Sequence, residues 1–239
     1  MKKASYVLLI ALTAMITSCF GQTARNSSLD ESHMEGHIVP VESLSIYRAF
    51  YDTLQNAIAE YGISLSCNPN SEGMRSAWLI DFNNDGMPAL MFNRSVDYGF
   101  GVLYFVYGYS HDAAELWFTG LATPFNTAPN TFSIAVNDSG KKYLMEFGIH
   151  TWSTWCYYHS FANGESVLAL GRHSILEYIE TEDGEWVYKT NYYVNENATC
   201  HEIFMNAPQS KLGIIAQYRP DYSHSSVLDM LGRLRGETE

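Results

Sequence analysis

Basic residues are scarce in this sequence. It has 14 lysines and arginines against 26 aspartates and glutamates, which gives a net charge of −12 at pH 7. A protein that binds nucleic acid needs a basic stripe or patch to neutralise phosphates. Beyond Lys2-Lys3, the only close basic pairs are Lys141-Lys142 and Arg233-Arg235. The acidic composition therefore argues against nucleic acid as a partner.

The local motifs of the common enzyme classes are also missing. There is no G-x-S-x-G nucleophile turn, no H-E-x-x-H zinc helix and no glycine-rich phosphate loop. On a regular strand, Cys156 and His159 would point to opposite faces, as would Cys200 and His201. These absences favour a noncatalytic protein. An exported hydrolase of glycan or peptide stays open, because four glutamates could converge as paired acids: Glu115, Glu146, Glu177 and Glu202.

The apolar stretch at the N-terminus, Val7 to Met15, is too short to cross a bilayer as a helix. It follows Lys2-Lys3 and precedes Ile16-Thr17-Ser18-Cys19, the order of regions in a lipoprotein signal. We expect residues 1–18 to be a signal peptide and Cys19 to become lipidated, in preference to an ordinary secretory peptide or an uncleaved anchor. Two acyl chains hold a protein stably on a membrane. The sequence thus predicts an extracytoplasmic lipoprotein, anchored to the cell membrane by lipid.

Residues 19–39 are mostly polar or small and show no apolar period, which predicts a flexible tether. His33 and His37 within this segment have a spacing that suits a metal on a helix, but the polar surroundings favour a solvated tether. The chain as a whole is 46% apolar and 14% aromatic, enough for one substantial core. We expect residues 40–239 to form a single globular domain.

Three cysteines remain after lipidation: Cys67, Cys156 and Cys200. An odd number in an exported protein allows one disulfide and one free thiol, or three buried thiols. Their spacing leaves the pairing open.

Apolar residues from Ser43 to Gly62 recur at intervals of three and four, which predicts an amphipathic helix. The predicted apolar stripe consists of Leu44, Tyr47, Tyr51, Leu54, Ile58 and Tyr61. Ser43 can cap the start of the helix and Gly62 its end. We expect this helix to pack on a sheet.

The middle of the chain consists of short runs rich in β-branched and aromatic residues, separated by turn clusters. The predicted strands are 77–80, 89–92, 101–109, 131–136, 142–150, 155–161 and 185–194. Asn163-Gly164 and Asp183-Gly184 supply the positive φ angles that tight hairpins need. The fold class predicted is α+β: an N-terminal amphipathic helix on a mostly antiparallel β-meander, with a short C-terminal helix around Val227, Leu231 and Leu234 and one helical turn at 200–205.

One loop carries recognisable chemistry, Asp81-Phe82-Asn83-Asn84-Asp85-Gly86-Met87-Pro88. Oxygen ligands from Asp81, Asn83 and Asp85, with the carbonyl of Met87, match the first half of a calcium-binding loop. Phe92 stands where an EF-hand has its bidentate glutamate, so the loop is not an EF-hand. Water or a distant carboxylate such as Asp97 would have to complete the shell, and binding would be weak. A metal-free turn, in which the aspartates accept backbone N–H groups, is the equal alternative.

The chain resembles surface lipoproteins of gut anaerobes in which a helix precedes a strand, a D-x-[DN]-x-D-G-x-P-E-L loop and a β-meander. The resemblance covers residues 43–62, 81–90 and, more loosely, 101–109. Similar loops bind calcium in dockerins and integrin-type propeller repeats, so the resemblance implies a calcium loop here. Ala89 stands where the group usually has glutamate, which removes one potential ligand.

Aromatic residues cluster at Trp152-Ser153-Thr154-Trp155, followed by Tyr157. Exposed aromatic rings stack on sugars and anchor peptides, whereas buried rings would simply fill the core of a sheet. We expect a noncatalytic domain that binds a cell-surface glycan, peptide or protein, with Trp152, Trp155 and Tyr157 as candidate ligand-binding residues.

Overall fold

A computed structural model describes residues 41–64, 72–96, 101–122, 130–150, 152–162, 164–218 and 227–236. All of them belong to one compact unit, Ile38–Glu239. The predicted signal peptide, Cys19, the predicted tether with its histidines, Cys67 and Asp97 lie outside the described residues. None of the helices in the described ranges is long and apolar enough to cross a membrane.

The described part of the chain contains three helices and two antiparallel sheets. The helices are α1 (Val41–Tyr61), α2 (His201–Leu212) and α3 (Val227–Gly236). Sheet A contains β1 (Gly73–Ile80), β2 (Ala89–Val96), β3 (Gly101–Ser110) and β4 (Ala113–Ala122). Sheet B contains β5 (Asn130–Asn137), β6 (Lys142–His150), β7 (Ser153–Ala162), β8 (Glu165–Glu180), β9 (Trp186–Val194), β10 (Asn197–Thr199) and β11 (Ile214–Tyr218).

Both sheets are meanders of consecutive strands, so the prediction of a mostly antiparallel β structure with helices is confirmed. Sheet A has the order β1-β2-β3-β4. Sheet B has the order β10-β9-β8-β7-β6-β5-β11, so β11 adds to the edge at β5. The expectation of one sheet is wrong, because the chain builds two. A one-sheet meander would leave one large apolar face in water, whereas two sheets bury these faces against each other.

Side chains from the two sheets interlock in a core cluster between them. Sheet A contributes Trp78, Met91 and Val106, and Leu144 of sheet B packs opposite. Aromatic rings bridge the sheets, with centroids 4.9 Å apart for Tyr104 and Phe132. The two meanders are therefore layers of one sandwich.

Helix α1 contacts the other face of sheet A through most of the predicted stripe and, more deeply, through an adjacent one. Ile46, Phe50, Leu54 and Ala57 are buried, whereas Leu44 is exposed and the predicted tyrosines are only partly covered. Two apolar stripes run side by side on this helix, and packing against Val227, Met230 and Leu234 of α3 selects the one without hydroxyl groups.

The two ends of helix α1 differ in how well they match the prediction. The helix begins at Val41, so Ser43 lies inside its first turn rather than before it. Gly62 ends the helix as predicted, at φ 69° with its N–H bonded to the Ile58 carbonyl.

Helix α2 covers the face of sheet B that points away from sheet A, which we call the outer face. It spans twelve residues, more than the single turn predicted at 200–205, and contains Pro208. Proline has no N–H to donate to the carbonyl four residues earlier, that of Phe204. The buried Arg172 of β8 supplies the missing hydrogen bond from Nη1 at 3.0 Å. This bond ties the helix to the sheet.

Candidate functional site

The inner face of sheet B, which points toward sheet A, carries a group of aromatic and polar side chains on its central strands. We call this group the platform; it consists of Glu146, Trp155, Tyr157, His173 and Tyr193. Strand register places Gly148, Trp155, His173 and Tyr193 side by side on four neighbouring strands. Glu146, Tyr157 and Gly171 form the next row. Because alternate residues of a strand share a face, both rows lie on one surface.

Glycines beside the platform let its rings lie down across the neighbouring strands. A Cβ atom on Gly148 would stand 2.1 Å from Cζ2 of Trp155, so the indole occupies the space that any larger residue would fill. A Cβ atom on Gly171 would stand 3.3 Å from Cδ1 of Tyr157. Both aromatic side chains are half-buried. Each ring therefore keeps one face toward the sheet and part of its surface toward solvent.

The remaining members give the platform its polar groups. Nε1 of Trp155 donates to Oε1 of Glu146 at 3.5 Å, and Oε2 of the same carboxylate lies 3.8 Å from Nε2 of His159. His173 stacks on Tyr193 with ring centroids 4.7 Å apart. Burial, and then the carboxylates of Glu146 and Glu196, raise the pKa of Tyr157 above its usual value of 10.0. Its hydroxyl therefore stays protonated and able to donate a hydrogen bond at neutral pH.

The three predicted ligand-binding aromatics do not form one cluster. Trp155 and Tyr157 lie together on the platform, whereas Trp152 lies on the outer face of the sheet and stacks on Tyr188. The sequence predicts Glu146 only as a possible hydrolase acid, and it does not predict His173 or Tyr193 as site residues. The signal that could have found them is the pairing of Gly148 with Trp155 and of Tyr157 with Gly171, which depends on strand register.

The aspartate loop connects β1 to β2 and folds on its own carboxylates. Asp81 accepts hydrogen bonds from the backbone N–H groups of Asp85 and Gly86, at 3.2 and 2.9 Å, and Asp85 accepts one from Met87 at 2.9 Å. Gly86 adopts φ 81° in the turn. Asn83 and Met87 are exposed.

The same loop rests on the hairpin between β5 and β6. Asn84 donates to the carbonyl of Ser139 at 3.2 Å, and Nζ of Lys142 donates to the carbonyl of Asp81 at 2.9 Å. The carboxylates keep free lone pairs that a cation could use, but the ammonium group of Lys142 beside them opposes a second positive charge.

Among the described residues, the cysteines are free thiols and the candidate acids lie on separate elements. Cys156 is buried and Cys200 is exposed, both as free thiols, so three buried thiols are excluded. Burial raises the pKa of the Cys156 thiol, which keeps it protonated and unreactive. The four glutamates considered as hydrolase acids lie on four different elements, β4, β6, β8 and α2. Across the described ranges, no three histidine, cysteine, aspartate or glutamate side chains meet in a group that could hold a metal ion.

A scan against protein-family models, a search of curated proteins and a search of solved structures each found no match to the chain. Function must therefore be inferred from the site itself.

Proposed function

We propose that this chain is a lipid-anchored, extracytoplasmic domain that binds a cell-surface glycan without cleaving it, and that the platform is its binding surface. The observation that supports the proposal best is the way in which Trp155 and Tyr157 lie across Gly148 and Gly171. A ring that lies down on a sheet offers its face to a ligand. A sugar ring presents apolar C–H groups on its faces, which pack on aromatic rings, and hydroxyl groups around its rim.

The polar groups of the platform suit the rim of a sugar. Glu146 is an acceptor for hydroxyl groups, and the protonated hydroxyl of Tyr157 is a donor. His173 and Tyr193 extend the surface by two strands, which favours an oligosaccharide over a single sugar. A peptide that bound as an added strand would need a free sheet edge at the platform, and the central strands of sheet B already pair on both sides.

The architecture proposed for the whole domain is a sandwich backed by the N-terminal helix, with the short C-terminal helix beside it. In this arrangement α1 and α3 cover the face of sheet A that is remote from the platform. The helices support the sandwich, and the half-buried side chains of the platform keep part of their surface exposed on the inner face of sheet B.

The proposal includes a weakly bound calcium ion in the aspartate loop. Asp81, Asn83, Asp85 and the carbonyl of Met87 would hold it, and the ion would stiffen the connection between β1 and β2 where it touches sheet B. Four protein groups are fewer than calcium usually takes, so we expect a dissociation constant of about 0.1 to 1 mM.

Glycan-array screening followed by calorimetry on the best ligand tests the platform. Trp155→Ala and Tyr157→Ala should each weaken binding about tenfold or more, the effect of losing about 1.4 kcal/mol of contact energy. Trp152→Ala is the matched control, because it removes an equally large ring from the opposite face and should leave glycan affinity unchanged. Circular dichroism establishes that each variant is folded. If folded Trp155→Ala binds as well as the parent protein, the platform is not the site.

An exported hydrolase is the second candidate, and it has one observation in its favour. Glu146 and His159 approach each other to 3.8 Å on the surface proposed to bind the ligand. Incubating the protein with the array ligand separates the two functions. Release of shorter products, lost in Glu146→Gln while binding persists, would establish hydrolysis; an intact ligand after prolonged incubation supports binding alone.

A further inference from the structure

Four large aromatic side chains form a continuous exposed row on the outer face of sheet B. We call them the aromatic row: Trp152, Tyr178, Trp186 and Tyr188. They are 48%, 55%, 54% and 53% exposed, respectively. Ring contacts connect them, with centroids 6.1 Å apart for Trp152 and Tyr188, and 4.9 Å apart for Tyr178 with both Tyr188 and Trp186.

The row and the platform lie on opposite faces of the same sheet. Tyr192, whose ring packs on Phe204 of α2, is on the outer face, and Tyr188 is four residues earlier on the same strand. Tyr193, the next residue along, belongs to the platform. The row starts beyond α2 and continues along the hairpin that joins β8 to β9. It is therefore a separate surface from the one proposed to bind glycan.

Cross-strand stacking explains part of this arrangement but not its exposure. Tyr178 and Tyr188 are directly paired across the hairpin, and such pairs stabilise two-stranded ribbons. A hairpin of this kind needs one or two aromatic pairs, and proteins rarely leave four half-exposed rings together unless the patch contacts a partner. Tryptophan and tyrosine are also the residues most enriched at the energetic centres of protein interfaces.

The charge of the hairpin that carries the row indicates the charge of the partner. From Glu177 to Lys189 the hairpin has five exposed acidic residues and one lysine. Glu177 and Lys189 pair with each other on the inner face, whereas Glu180 lies on the same face as the row. Glu180 pairs with Trp186 across the hairpin, and Glu182, Asp183 and Glu185 come just before Trp186 in the connecting turn. Two copies of this hairpin would repel each other, and an anionic membrane surface would repel the hairpin. A cationic partner is the complement.

We propose that the aromatic row is a docking surface for an arginine-bearing segment of a partner protein. Arginine is the side chain that meets both features, because its planar guanidinium group stacks on aromatic rings and forms paired hydrogen bonds with a carboxylate. Trp186 supplies an aromatic ring at the free end of the row, and Glu180, paired with it across the hairpin, supplies a carboxylate beside it.

Binding of a fluorescent arginine-glycine repeat peptide to the full chain, measured by anisotropy, tests this surface. Trp186→Ala and Tyr178→Ala should each raise the dissociation constant about tenfold, the usual effect at an interface centre. These variants leave the charge unchanged, so the loss would come from the rings. Glu180→Gln with Glu185→Gln should weaken binding by a similar factor. A peptide with lysine in place of arginine should bind more weakly, because an ammonium group cannot stack or bind a carboxylate in the same way.

The charge-matched control is Asp52→Asn with Glu72→Gln, which removes two exposed acids away from the hairpin. It should bind the arginine peptide as the parent does. Equal weakening in this control would overturn the proposal, since the peptide would then respond only to total charge. Unchanged binding in folded Trp186→Ala, or concentration-dependent self-association that Trp186→Ala abolishes, would overturn it as well.

Discussion

At the scale of the side chain, Asp81 and Asp85 can act both as calcium ligands and as hydrogen-bond acceptors that shape a turn. Asp81 and Asp85 have the spacing of a calcium loop, and in the structure both accept backbone N–H groups that shape the turn. A carboxylate oxygen that accepts one hydrogen bond can still bind a cation through its other lone pair. The turn is therefore compatible with the proposed calcium site, and a bound ion would change only the stability of the turn.

We expect Asp81→Ala to lower the free energy of unfolding by about 1 kcal/mol without calcium, because two N–H groups lose their acceptor. Asp85→Asn keeps an acceptor for Met87 and should be nearly neutral under the same conditions. Calcium at ten times its dissociation constant should stabilise the parent protein by about 1.4 kcal/mol, and both variants should lose that gain. Urea unfolding with and without about 10 mM calcium provides the measurement. A parent protein indifferent to calcium would leave the loop a metal-free turn.

Strands and helices were predicted well where local pattern and tertiary environment agree. The predicted run 142–150 is β6 as observed, and the helix predicted from Ser43 is α1 with an earlier start. β4 and β8 were missed, because β4 is rich in alanine and leucine at a half-exposed edge, and β8 mixes glycine, arginine and histidine with its apolar residues. Pairing with neighbours outweighs weak local propensity in such strands.

At the scale of the element, the platform depends on Gly148 of β6, because the indole of Trp155 lies where a side chain at this position would stand. We expect Gly148→Ala to destabilise the fold by about 1 to 3 kcal/mol, because the new methyl group would overlap the indole of Trp155. The displaced ring should also lose its bond to Glu146 and weaken glycan binding. Gly232→Ala in α3 is the control, since open space surrounds that position and alanine favours a helix. Urea unfolding and ligand calorimetry measure both effects; parent-like behaviour of Gly148→Ala would show that the indole can lie elsewhere at no cost.

At the scale of the whole molecule, sheet B offers two different faces to its surroundings. The inner face carries the platform, and the outer face carries α2 and the aromatic row. A tethered domain with two separate binding surfaces could connect a glycan to a partner protein outside the cell. The membrane anchor predicted at Cys19 would hold this arrangement at the cell surface.

Substitution of Cys19 by serine tests the anchor, because serine cannot carry the thioether-linked lipid. We expect the variant to move from the membrane fraction to the soluble fraction of the expressing bacterium, and its mass to lack the acyl chains. Glycan and peptide binding by the released protein should be unchanged, which separates the anchor from both surfaces. Continued fractionation of Cys19→Ser with lipid would contradict the lipoprotein assignment.

Local residue order accounts for the features that depend on neighbours along the chain. The periods of α1 and of the strands, the turn at Gly86 and the acidic balance follow from local residue order, because propensity, φ preference and charge act over a few residues. Tertiary structure alone decided the division into two sheets, the stripe that α1 buries, and the separation of Trp152 from Trp155. Each of these depends on which strands become neighbours, and strand register is set by packing between residues far apart in sequence.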